Sequence, residues 1–144
     1  MRSQKQRGDV LEIRRTVVED MVKHARTETP NECCGLLVGT TKMVEYAVSA
    51  RNLHASPTRY LIDPVDHVAA IRSARRSGLR LVGFYHSHPD HQARPSQYDL
   101  DHAWPVFMYV IIAIEKGKPG AMTSWRLSED RVAFDETGIE RRNE

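Results

Sequence analysis

Residues 83–103 read GFYHSHPDHQARPSQYDLDHA, and within these positions fall four histidines, three aspartates and two prolines. The stretch marks a change of element. The preceding residues continue it backwards as LRLVGFYHSH, residues 79–88, whose apolar run predicts a strand that Pro89 breaks, because proline cannot donate to a sheet ladder. Downstream, Ser96 suits a helix cap and Pro105 a helix stop, which predicts a short helix over about residues 97–104. Strand, turn and helix thus follow one another within a few residues, and along the strand alternation sends His86 and His88 to one face and Ser87 to the other.

Working outward, VFMYVIIAI at 106–114 is apolar at every position, the pattern of a central strand covered on both faces. MTSWRL at 122–127 and RVAF at 131–134, joined by the turn SED, read as a hairpin. On the other side, Asp63 and Pro64 suit the cap and first position of a helix that Gly78 stops, its apolar side carrying Val65, Val68 and Ile71. CCGLLVG at 33–39 reads as a buried strand with MVEYAVS at 43–49 as its expected antiparallel partner. VLEIRR at 10–15 alternates as a strand, and Thr16 with Glu19 reads as a capping box opening a helix that Pro30 ends, with Val18, Met21, Val22 and Ala25 on its buried face. Met43, Met108, Met122, Trp104 and Trp125 read as packing residues. The expected fold is α/β or α+β, a mixed sheet flanked by helices. One domain spans residues 9–137, with polar, flexible tails at 1–8 and 138–144.

Composition narrows the functional classes. A chain of 144 residues with 40% hydrophobic content builds one core. No apolar stretch approaches the roughly 20 residues of a membrane span, and the start MRSQKQRGDV lacks the apolar core of a signal peptide, so a soluble, cytoplasmic protein without a membrane partner is expected. Twenty-one basic against 19 acidic residues leave a net charge of +2, too balanced to indicate nucleic-acid binding. Arg72, Arg75, Arg76 and Arg80 read as a solvated helix face. The two cysteines, Cys33 and Cys34, are adjacent, which rules out a bridge between distant segments of one chain and fits a reducing compartment.

The chemistry concentrates in the opening stretch. Two imidazoles share a strand end, and Asp99 stands in the first turn of the next helix, eleven residues after His88, near enough to add a carboxylate. Two nitrogens and one oxygen make a zinc set that keeps a fourth position open, as catalytic zinc requires. Ser96 with Asp99 is also an ordinary helix start. His91 and His102 read as exposed and without partners, and at least one of the two cysteines is expected to point into the core.

Glu32, then His86-Ser87-His88, Ser96 and Asp99, together with the flanks NECCGLLVG, YLIDP, GFYHSHP and PSQYDL, resemble the signature of the JAMM metallopeptidases, the catalytically competent MPN domains. The resemblance runs from about residue 10 to 136. It implies a mixed sheet with flanking helices, related in architecture to cytidine deaminases, although the deaminase cysteine pair and a helical His-Glu-x-x-His are both missing. It also implies that His86, His88 and Asp99 bind one Zn2+, that Glu32 is the general acid/base and that Ser96 supports the oxyanion. The chemistry is coherent, since zinc acidifies water and polarises a carbonyl while an adjacent carboxylate moves the proton.

Members of this family cleave peptide or isopeptide bonds at the C-terminus of ubiquitin-like proteins. The chain leaves little room for the insertions of the deubiquitinating members and resembles the compact prokaryotic branch, in particular the peptidases that release cysteine from the C-terminal di-glycine of a sulfur-carrier protein. The implied partner is such a carrier, its thin tail lying as an added strand along an exposed sheet edge. The alternatives are an isopeptidase acting on lysine side chains and a noncatalytic scaffold, the latter disfavoured because all five positions are intact. Homo-oligomer formation is left open by the sequence.

Overall fold

The computed structural model describes residues 10–41 and 43–143. The expected N-terminal tail, residues 1–8, lies outside the described residues. The elements run β1 (Leu11–Arg14), α1 (Arg15–Glu28), β2 (Cys34–Gly39), β3 (Met43–Ala50), α2 (Pro64–Arg76), β4 (Arg80–Pro89), α3 (Gln97–Asp101), β5 (Met108–Glu115), β6 (Lys118–Leu127), β7 (Phe134–Thr137) and β8 (Ile139–Arg142). The strands form one mixed sheet in the order β7-β6-β5-β4-β2-β3-β1-β8. β4 lies at its centre, parallel to β5 and antiparallel to β2.

Alternation along β5 explains why both faces are covered. Met108, Val110, Ile112 and Ile114 join the cluster under α1, built from Val17, Val18, Met21 and Ala25. Tyr109, Ile111 and Ala113 join the opposite cluster, with Ala70 of α2, Phe84 and Trp125. A bulge in β4 shifts the register between Leu37 and Val38 of β2, so that Val82 and Tyr85 both face α1 while Phe84 faces α2. His86 and His88 continue the Phe84 phase. The two histidines are thereby delivered to the α2 and α3 side of the sheet.

Several sequence expectations are corrected. The polar C-terminal segment is not a free tail over Ile139–Arg142, because these residues form β8, pair parallel with all of β1 and bring Arg142 onto Glu12. Their charges suit an edge strand, which needs only one apolar contact to the core, here Ile139. Thr16 does not cap α1. β1 runs directly into the helix with Arg14 at the cap position and no side-chain cap, since a guanidinium has no acceptor to offer the first helical amides; it pairs instead with Glu45 at 2.8 Å.

In α2, Asp63 caps as expected, its carboxylate accepting from the Val65 amide at 2.9 Å, but the buried residues are Ala70 and Ala74. Val65 is 74% exposed, because the helical period turns it away from the face that carries Ala70 and Ala74. α3 is shorter than expected and ends at Asp101. Trp104 is accordingly not a packing residue; it is 62% exposed, with the Arg131 guanidinium over its ring at 5.7 Å.

Candidate metal centre

Each site residue is fixed by the element that carries it. Glu32 precedes β2, where its amide donates to the Ser56 carbonyl at 2.8 Å and its carbonyl accepts from Asn52 Nδ2 at 3.1 Å. The loop between β3 and α2 thus clamps its main chain. β4 pairing places His86 opposite Cys34 of β2 and Ile111 of β5. Ser87 points to the other face, its hydroxyl accepting from the Cys33 amide at 2.8 Å. Asp99 is held by a complete capping box: its amide donates to Ser96 Oγ at 3.0 Å, and the Ser96 amide donates to Asp99 Oδ2 at 2.9 Å.

These anchors bring three atoms together. His86 Nε2 and His88 Nε2 stand 3.1 Å apart, and Asp99 Oδ2 lies 3.1 Å from the first and 3.2 Å from the second. Such a triangle cannot be satisfied by hydrogen bonds alone, because a carboxylate has no proton and each ring nitrogen carries at most one. Moreover, His88 Nδ1 lies 2.6 Å from the Gln92 carbonyl, which can only accept; Nδ1 therefore bears the proton, and the neutral ring presents Nε2 as a lone pair. Ligand atoms around tetrahedral zinc stand about 3.3 Å from one another, given bonds of roughly 2.0–2.1 Å. Two imidazole nitrogens and one carboxylate oxygen at this spacing fit a single divalent cation.

Glu32 completes the cluster, with a carboxylate oxygen, His86 and His88 offering atoms within 4.8 Å of one another. Both Glu32 carboxylate oxygens are buried without a hydrogen-bond partner, as are Asp99 Oδ1 and His86 Nδ1. The four side chains are deeply set: Glu32, His86 and His88 are each 1% exposed and Asp99 7%.

Burial, reinforced by the Asp99 charge, pushes the Glu32 carboxyl up to about 9. Burial also acts upward on Asp99, but the His86 charge and the hydrogen bonds from His86 and the Ser96 amide outweigh it and hold that carboxyl well below the usual carboxylate range. Two neighbouring carboxyl groups with opposed proton affinities are the arrangement in which one serves as an anionic ligand and the other as a proton carrier.

The surroundings include residues that sequence reasoning missed. Tyr60 stacks on the His86 ring, with centroids 4.5 Å apart. A cavity of about 150 Å³ opens beside Asp99, walled by Tyr60, Phe84, Tyr98 and Tyr109. His102 is exposed but stacks on Tyr98 at 4.0 Å. His91 is not partnerless: its ring lies on His88 at 4.1 Å, and its Nε2 stands 3.9 Å from Glu32 Oε2. The PDH sequence after the histidine pair was the available signal, since it forms a turn at Asp90 with φ of 59°.

Cys33 and Cys34 are buried and free, and neither joins the metal-ligand cluster among the described residues. Burial pushes the Cys33 thiol up to about 12. β4, which carries the two histidines, is paired on both sides, and the edges of the sheet, β7 and β8, lie at its two far ends.

Known proteins resemble the chain in sequence and in fold. Residues 14–128 match the family of prokaryotic homologs of the JAB domain. The chain is 39% identical over 110 residues to a Thermus thermophilus protein named probable TtuB-protein conjugate cleaving protease, covering 75% of this chain and 73% of that protein. It is 30% identical over 133 residues to the CysO-cysteine peptidase of Mycobacterium tuberculosis, covering 90% and 91%. The solution structure of protein DSY2949 from Desulfitobacterium hafniense superposes with a TM-score of 0.84 at 34% identity, covering 94% of each chain. With its fold, its converging histidines and aspartate and this match over most of its length, the chain belongs to the prokaryotic JAB, or JAMM, family.

Proposed function

We propose that this protein is a zinc-dependent peptidase that hydrolyses the amide bond after the C-terminal di-glycine of a small ubiquitin-like sulfur-carrier protein, releasing an amino acid such as cysteine. The observation that carries the reading is the depth of the cluster. With Glu32, His86 and His88 each 1% exposed, a bond reaches them only on a chain slim enough to enter a recess, and consecutive glycines are the slimmest peptide there is.

His86, His88 and Asp99 hold the metal. Zinc bound there supplies Lewis acidity toward the carbonyl and lowers the pKa of water. Glu32, unpartnered and of high proton affinity, takes a proton from the attacking water and returns it to the departing amine as the C–N bond breaks. Ser96 Oγ accepts from the Asp99 amide, which leaves its own O–H free to donate to the carbonyl oxygen as charge builds there. The capping serine and the oxyanion donor are then one residue in two roles.

The test is intact-mass analysis of a carrier bearing a C-terminal cysteine, incubated with wild-type protein and with Glu32→Gln. Loss of one cysteine mass with wild type alone is the expected result. An unchanged carrier with zinc bound would overturn amino-acid release. A second reading, removal of a ubiquitin-like protein from lysine side chains, is favoured by the conjugate-cleaving relative from Thermus thermophilus. An unbranched lysine side chain suits the same recess. A lysine-linked conjugate assayed in parallel separates the two.

A further inference from the structure

His91 lies outside the roles assigned above, yet the fold takes trouble to place it. Immediately after β4, Asp90 adopts a left-handed φ of 59°, an uncommon conformation that aspartate tolerates better than most residues. The turn is tied to the end of β5 at two points: the Asp90 amide donates to the Ile114 carbonyl at 2.6 Å, and Asp90 Oδ1 accepts from the Lys116 amide at 2.8 Å. It sends the chain back over the strand end.

His91 is then fixed by two further contacts. Its Nδ1 donates to the Pro89 carbonyl at 2.9 Å, and its ring lies nearly flat on His88, 4.1 Å away at 22°. With Nδ1 committed, Nε2 is the nitrogen left for other work, and it faces Glu32 Oε2 at 3.9 Å. Glu32 has a clamped main chain but no hydrogen-bond partner for either carboxylate oxygen. The remaining gap exceeds hydrogen-bond length and closes with a movement of about 1 Å. The His91 side chain is 40% exposed where that of Glu32 is 1%, so it stands at the solvent side of the recess.

We propose that His91 is a positioning residue, whose Nε2 aligns the Glu32 carboxyl group while its ring face braces His88. The proposal rests on the reading of Glu32 as the proton carrier. It differs from simple shielding of the metal centre, because a phenyl ring would shield equally well and align nothing.

The experiment uses zinc-loaded full-length protein and two independent readouts. The first is steady-state cleavage by His91→Phe, which keeps the ring, and His91→Gln, which restores a polar group. The expected result is a fall in kcat of roughly tenfold or more for His91→Phe, with KM within about twofold and zinc content unchanged, and partial recovery in His91→Gln. The second is the ring-nitrogen NMR spectrum of His91 in otherwise wild-type protein, where Glu32→Gln should move the Nε2 resonance and leave Nδ1 in place. Wild-type kcat in His91→Phe, or an Nε2 resonance indifferent to Glu32→Gln, overturns the proposal. Should wild-type protein cleave no carrier adduct, the proposed function fails, and the NMR comparison still decides whether His91 engages Glu32.

Discussion

Glu32 and Asp99 share one recess and differ in what surrounds them. Asp99 is bonded into a capping box and faces two imidazoles, whereas Glu32 has its main chain held and its carboxylate bare. Glu32→Gln should therefore keep zinc, as read by metal analysis, and lower turnover by about 10²–10⁴-fold, the usual worth of a general acid/base. Asp99→Ala should instead lower zinc content, and full occupancy in that variant would contradict ligation. On the opposite face of the sheet, His24 Nδ1 meets the Tyr85 hydroxyl at 2.8 Å, and burial, partly offset by Glu28, holds its pKa below the ordinary 6.5. The unfolded chain binds that proton more readily, so the contribution is complete above about pH 6.5 and is lost as the pH falls through the lower, folded-state pKa. His24→Gln should flatten the decline of Tm between about pH 7 and pH 5 relative to wild type.

At the scale of elements, two close fits carry the arrangement. A Cβ on Gly35 of β2 would overlap the Tyr85 ring of β4, so Gly35→Ala should destabilise the protein by about 1–3 kcal/mol in urea titrations, the range for overpacking a core. Ser96→Ala removes the acceptor of the Asp99 amide and should cost about 1 kcal/mol in the same titrations, as loss of a helix cap does. Such elements were legible before the fold was known because their signals are local: β5 is apolar throughout, Asp63-Pro64 opens a helix, and His86, His88 and Asp99 follow strand and helix periods. The errors arose where a distant partner decides. α2 buries Ala70 and Ala74 in place of its valines because the sheet, and not the helix's own sequence, decides which face is turned inward. Thr16 has cap chemistry but lies two residues past the cap position, since β1 leads straight into α1. His91 gained its neighbours from a left-handed turn that no periodicity announces.

For the whole molecule, the polar segment Ile139–Arg142 closes one edge of the sheet, and its composition concealed this because main-chain pairing with β1 needs no apolar side chains. Truncation after Gly138 should lower Tm, by exposing the β1 edge and the fully buried Leu11 and Ile13 beside it. Among the described residues no helix is long and apolar enough to cross a membrane. The central position of β4 carries a consequence for the order in which competence is acquired. His86, His88 and Asp99 lie within one strand end, one turn and one short helix, so chelation closes only a short loop. Glu32 reaches them from far away in the chain, and only through the pairing of β2 with β4. On the proposed roles, metal capture calls only for a strand end, a turn and a short helix, whereas hydrolysis also calls for the pairing of β2 with β4, so proteolytic power would arrive last, with the completed sheet.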